Sequence, residues 1–327
     1  MSNHFKIYAG DCTTLGQRKG QIPLYEKPPT FDAPEHYIAD EGLRAAVNVS
    51  IALGQPLLLT GEPGTGKTQL AASLAYELGL ATPLVFNVKT TSSAKDLFYR
   101  YDALGHFRAA QFQRDGGRVE AADYITYEAL GLAILLSLAP EQGDPHLPSK
   151  LRGRGPTRSV VLIDEIDKAP RDLPNDVLNE IEDMAFTVKE TGETFASSTA
   201  YRPILVLTSN SEKGLPDAFL RRCIFYDIPF PDKKRLEEIV QRRLPPDSAF
   251  TPEKVAHAIA HFDKIRNLGL KKLPATAELL GWVRILAEAG IDVAKLEPAQ
   301  ADILALSYSA LLKTREDVER LKRQPML

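Results

Sequence analysis

The sequence predicts an α/β fold, a parallel sheet flanked by helices, followed by a smaller all-α domain. Three observations carry that prediction. Short apolar runs of strand length, Pro56 to Thr60, Pro83 to Val88, Ser159 to Ile163 and Ile204 to Thr208, alternate with helical segments, the pattern of a sheet covered on both faces. A glycine-rich turn, Gly61 to Gly66, lies directly between the first run and an Ala/Leu helix, Gln69 to Leu78. Beyond Pro231 the strand signals stop, and helical patterns occupy Lys233 to Arg243, Pro252 to Phe262, Thr276 to Ala289 and Pro298 to Lys313.

The remaining elements follow in order. Residues 1–35, rich in Gly, Pro and polar side chains, read as an arm without sustained periodicity. A helical pattern from Glu41 stops at Gly54, a residue suited to a helix C-terminus. Between the second and third apolar runs lie residues 92–158, far more than one crossover helix needs, so a segment is inserted there. It holds the aromatics Phe98, Tyr99, Tyr101 and Phe107, and an apolar run of 11 residues, Ala129 to Ala139, that is too short to cross a membrane and reads as a buried helix. After the third run the pattern predicts one helix over Leu173 to Asp183, then a small hairpin, about residues 184–200, turning near Gly192.

Composition narrows the function. With 44% hydrophobic and 25% charged residues among 327, the chain has the make-up of an ordinary globular protein. Its formal charge of −3 supplies no bulk field for nucleic acid or an anionic membrane. Two cysteines, Cys12 and Cys223, indicate neither a disulfide framework nor a zinc module. The opening residues lack a basic stretch followed by an apolar one, so a cytoplasmic location is expected.

Four segments carry chemistry. Gly61-Glu62-Pro63-Gly64-Thr65-Gly66-Lys67-Thr68, continued by Gln69, has the spacing of a phosphate-binding loop between strand and helix. Backbone amides and the helix N-terminus would hold the phosphates, Lys67 would reach the β- and γ-phosphates, and the Thr68 hydroxyl would ligate Mg²⁺. Asp164 and Glu165 stand at the end of a buried strand, where open parallel sheets bind ligands. Asp164 suits the Mg²⁺ shell and Glu165 suits a base for the attacking water. Asn210 ends the next strand, where it either orients that water with Glu165 or simply forms a turn. Arg221 and Arg222 follow a short helix, as dipole partners or as the positive charge that phosphoryl transfer needs. Asp167 and Lys168 read as solvated charges or subunit contacts.

In that order GEPGTGKT, VVLIDEID, VLTSN and LPDAFLRRC resemble the Walker A, Walker B, sensor 1 and arginine-finger segments of AAA+ ATPases. Within that superfamily the chain is similar to MoxR-like ATPases of the helix-2-insert group, on the long segment within 92–158 and the hairpin resembling a pre-sensor insertion. The resemblance implies a P-loop ATPase domain over residues 36–230 and a helical lid over 231–327. It implies ATP/ADP and Mg²⁺ as ligands and a homo-oligomer, a hexameric ring, with nucleotide at subunit interfaces. Arg222 would reach in trans, with Arg221 as second choice. Members of this group remodel or activate other proteins, often beside a von Willebrand factor A-domain partner. The rival reading is a nucleic-acid-dependent AAA+ motor or loader, and a further one is a nucleotide-binding switch without turnover.

One departure from the family stands out. Lys271-Lys272-Leu273-Pro274 has no arginine where the lid's sensor 2 residue belongs, leaving Lys272 as a substitute point charge or both lysines as solvated surface. Tyr37 and Ile38 are either adenine contacts or core. His257 and His261 share a helix, but HAIAH lacks the Glu of a HExxH site and no third ligand is evident, so no metal is expected there.

Overall fold

The computed structural model describes residues 33–112, 119–211, 214–245, 248 and 250–323. Apart from residues 33–35, the expected arm lies outside the described residues, as does Cys12. Two compact units separate: 39–62 with 67–228, and 33–38 with 63–66 and 229–323.

The first unit runs α1 (Glu41–Leu53), β1 (Leu57–Gly61), α2 (Lys67–Glu77), β2 (Leu84–Asn87), β3 (Tyr99–Tyr101), α3 (Ala103–Phe112), β4 (Ile125–Tyr127), α4 (Ala129–Leu136), α5 (Pro140–Gly143) and β5 (Val160–Asp164). It continues through α6 (Leu173–Asp176), α7 (Leu178–Asp183), β6 (Ala185–Thr187), β7 (Thr194–Ala196), β8 (Ile204–Thr208), α8 (Asp217–Leu220) and β9 (Ile224–Ile228). Five strands form a parallel sheet in the order β2-β5-β8-β1-β9. Leu58, Leu59, Val160, Val161, Ile163, Val206 and Leu207 have no solvent exposure, and burying each such side chain stabilises by roughly 1.5–3 kcal/mol. Continuous apolar runs rather than alternation result, because helices cover both faces.

Helix boundaries follow local chemistry. Asp40 caps α1 by accepting the Leu43 amide at 2.7 Å, and Gly54 closes it in the left-handed conformation, φ 64°. The inserted segment forms its own two-stranded antiparallel pair, β3 with β4, and then the buried helix α4. Gly131 is required in α4, because a Cβ there would stand 2.0 Å from the Phe98 carbonyl oxygen. The single helix expected over Leu173 to Asp183 is two helices, α6 and α7, broken at Val177, whose φ of −103° and ψ of 0° leave the helical region. Leu173, Val177 and Ile181, four residues apart, all lie in the core. The expected hairpin is present as β6 and β7 in antiparallel register, Phe186 opposite Phe195.

The second unit is helical: α9 (Lys233–Arg243), α10 (Pro252–Arg266), α11 (Thr276–Ala289), α12 (Ala301–Ser307) and α13 (Arg315–Lys322). Asp232 and Thr251 cap α9 and α10, and Gly290 ends α11 in the left-handed region. Where the pattern predicted one helix over Pro298 to Lys313, the chain makes a 3-10 turn, α12 and a second 3-10 turn. Helix α13, absent from the sequence reading, is short and strongly charged, so it lacks a long apolar period; Thr314 caps it. Trp282, His261 and Tyr308 stack at the centre, with Trp282 Nε1 donating to Ser307 Oγ at 2.8 Å. Among the described residues no helix is long and apolar enough to cross a membrane.

Candidate active site

Parallel register brings the ends of three buried strands to one edge of the sheet. Leu59 of β1 pairs with Thr208 of β8, Ile163 of β5 pairs with Leu207, and Asp164 pairs with Asn87 at the end of β2. The chain leaves β1 at Gly61, and Gly61, Gly64 and Gly66 have φ of 136°, 78° and 91°. L-residues with side chains rarely adopt these values, so the glycines are what allow the turn from β1 toward α2.

Lys67 is 8% exposed and stands inside that turn, its Nζ donating to the carbonyls of Gly61 at 2.7 Å and Glu62 at 3.1 Å. Burial lowers the ammonium pKa, while Asp167, Asp164, Asp227 and Glu165 act in the opposite sense and favour the charge. Thr68 Oγ1 lies 3.1 and 3.2 Å from the two carboxylate oxygens of Asp164. A hydroxyl and a carboxylate are hard oxygen donors, and two protein ligands with room for water and phosphate oxygens is how Mg²⁺ is commonly held, so the residues present fit that ion.

Thr208, at the end of β8, organises the acidic pair. Its hydroxyl donates to Asp164 Oδ1 and accepts the Glu165 amide at 2.9 Å. Glu165 itself is left-handed, φ 61° and ψ 49°, one of two non-glycine residues with positive φ among those described. Such a conformation costs on the order of 1–3 kcal/mol and persists where surrounding bonds enforce it. The Glu165 carboxylate is 42% exposed and ion-paired with Lys168. Asp167 accepts the Asn210 amide at 3.3 Å. Asp167 and Lys168, read from sequence as solvated charges or subunit contacts, are thus partnered beside the acidic pair. No sequence signal marks Thr208, because only the tertiary register sets it between the two carboxyl residues.

Arg222 is elsewhere. Its helix, α8, precedes β9, whose first residue Ile224 pairs with Leu57 and donates its amide to Pro56. Arg222 therefore lies at the N-terminal edge of the sheet, whereas Asp164, Glu165 and Asn210 lie at the C-terminal edge. A five-residue strand spans roughly 13 Å between its first and last Cα atoms. Arg222 Nε binds Glu182 Oε2 at 2.8 Å.

The other expected residues are dispersed. Lys271 and Lys272 are exposed; their amides donate to the fully buried carboxylate of Asp317, and the Lys271 ammonium lies 3.7 Å from Glu316. Tyr37 and Ile38 are half-buried, and the Ile38 carbonyl accepts Arg235 NH2 at 2.8 Å. His257 meets Asp292 at 2.9 Å, while His261 Nε2 meets the Tyr308 hydroxyl at 2.7 Å. In the insert, Phe98 and Tyr99 are core residues, but Phe107 is 59% exposed.

A five-stranded parallel sheet, a glycine turn holding a buried lysine and a threonine–aspartate pair across two strand ends together define a P-loop fold of the AAA+ type. Residues 56–223 match the AAA domain of the dynein-related subfamily, and the chain belongs to that family. Among solved structures, three variants of Thermotoga maritima RuvB are similar at 17, 17 and 18% identity with TM-scores of 0.42, 0.43 and 0.43. These matches cover 82, 83 and 85% of this chain and 67, 69 and 71% of theirs. No curated protein matches the sequence.

Proposed function

We propose that this chain is a Mg²⁺-dependent ATPase that works in a ring of its own copies and uses hydrolysis to remodel or activate a partner protein in the cytoplasm, in the manner of MoxR-like ATPases. The observation that carries the reading is the convergence of Lys67, Thr68 and Asp164 at one sheet edge. When bound there, Mg²⁺ would supply positive charge against the phosphate oxygens, held by Thr68 and Asp164. Amides of residues 61–69 would cradle the triphosphate, with Lys67 exchanging its loop carbonyls for phosphate oxygens.

Glu165, once released from Lys168, accepts a proton from water as the water oxygen bonds to the γ-phosphorus. The bond from that phosphorus to the β–γ bridging oxygen breaks, and ADP leaves with the electron pair. Asn210 orients the water. The wide separation of Arg222 from Glu165 within one chain supports its acting on a neighbouring copy's nucleotide, since an arginine there has no short route to its own site. The hairpin β6–β7 and the segment between β2 and β5 support the helix-2-insert assignment. A hexamer, a von Willebrand factor A-domain partner and a protein substrate belong to the same proposal.

Steady phosphate release by the purified chain, abolished by EDTA and rising more than linearly with protein concentration, is the expected result. No release under any assembly condition would reduce the chain to a nucleotide-binding switch. Stimulation by DNA or RNA with a steep salt dependence would replace protein remodelling with nucleic-acid motor work.

A further inference from the structure

We infer that Glu182 is the positioning residue for Arg222, holding its guanidinium ready for the nucleotide of an adjacent copy; this rests on the reading of Arg222 given above. Glu182, in α7, accepts Arg222 Nε at 2.8 Å, and Arg222 NH1 also donates to the Ala218 carbonyl at 3.3 Å. Two of the five N–H donors of the guanidinium are thereby engaged, and the other three stay available for anionic oxygens. Pinning Nε fixes the plane of the fork, which is what an arginine needs to meet phosphate oxygens at defined angles.

Glu182 is itself anchored. Its backbone carbonyl accepts Arg202 NH2 at 2.7 Å, and Arg202 Nε donates to the Gly54 carbonyl at 3.1 Å. Arg202 thus ties the residue carrying the carboxylate to the end of α1, beside the start of β1. Arg221 next door is exposed; its backbone amide donates to the Asp217 carbonyl at 3.0 Å, but among the described residues its guanidinium makes no hydrogen bond or ion pair. One carboxylate therefore distinguishes two adjacent arginines that sequence alone leaves equivalent.

The pair is open to solvent, Arg222 at 42% and Glu182 at 61% exposure, and exposed pairs of this kind add little to fold stability. A structural role predicts almost nothing from its loss; a positioning role predicts a defect in turnover. Glu182→Ala should lower kcat about tenfold, small beside the roughly 10³-fold or larger loss on removing an arginine finger. The KM for ATP and the thermal midpoint should stay at wild-type values, and Glu182→Asp should recover part of the rate. In an Arg222→Ala background, Glu182→Ala should cost nothing further.

Independent, multiplicative losses in the double variant, an unchanged kcat in Glu182→Ala, or a faster one, would each overturn the inference. If Arg222→Ala alone turned over normally, the finger assignment would fail, a result separate from any outcome at Glu182.

Discussion

Thr68 Oγ1 stands 3.1 and 3.2 Å from the carboxylate oxygens of Asp164, a residue 96 positions further along the chain. Thr68 is the second residue of α2 and Asp164 closes β5, so their meeting depends on β5 lying near β1 in the sheet. If this pair holds Mg²⁺, Thr68→Val and Asp164→Asn should each raise the Mg²⁺ needed for half-maximal turnover by at least about tenfold, the lower end of what disturbing a metal's surroundings costs. Titration of ATPase rate against Mg²⁺ at saturating ATP measures this; an unshifted curve in both variants rejects the assignment.

Lys67 is buried in the glycine turn and bonded only to loop carbonyls that a triphosphate would displace. Hydrogen bonds to charged groups contribute about 1.5–3 kcal/mol, so Lys67→Ala should weaken ATP binding by roughly 10- to 150-fold. Unchanged affinity by titration calorimetry would refute the phosphate role.

Glu165 is placed by its left-handed backbone and the Thr208 contact, neither of which needs the side-chain charge. Glu165→Gln should accordingly bind ATP as the parent does and hydrolyse it about 10²- to 10⁴-fold more slowly, the range for losing a general base. Single-turnover phosphate release reads the difference, and near-parental rates remove Glu165 from the mechanism.

Arg222→Ala should bind nucleotide normally yet lose assembly-dependent turnover by about 10³-fold or more. Mixing it with a Lys67→Ala chain provides a sharper check. Mixed rings restore seams in which an intact loop faces an intact arginine, so activity should exceed that of either variant alone. Absence of any recovery in demonstrably mixed assemblies, or the same defect in Arg221→Ala instead, contradicts the choice of Arg222.

His261 gives the helical unit a pH dependence. Burial, and secondarily Lys264, pushes its pKa down to about 4 from 6.5. The unfolded chain therefore binds this proton first as pH falls, so stability is lost between pH 6.5 and about 4, by at most about 3 kcal/mol. Thermal midpoints followed across that window should decline in the parent and be flatter in His261→Phe; equal slopes would show that the imidazole takes up its proton equally in the folded and unfolded chain, with no depression by burial.

Much of this molecule is written locally. The strands at Leu57–Gly61, Val160–Asp164 and Ile204–Thr208 are apolar runs bounded by turn residues, and α9 and α11 coincide with the periods that predicted them, because burial and capping act over a few neighbouring residues. Elsewhere the period misled. The chain between Leu173 and Asp183 breaks at the buried Val177 although its apolar spacing suits one helix, and α13 forms around a cap and a buried aspartate rather than a long apolar stripe.

The loop Gly61–Thr68 and the acidic pair were legible because each is contiguous, with its chemistry set by residue type and spacing. Sequence by itself therefore determined the α/β fold class and the candidates Lys67, Thr68, Asp164 and Glu165. Only the tertiary structure decided that Thr208 bridges Asp164 and Glu165, that Lys168 covers the proposed base, and that Arg222 rather than Arg221 is held by Glu182. These relations join residues from different elements across the register of a parallel sheet, and hydrogen bonds of about 3 Å depend on that register, which no stretch of chain specifies alone.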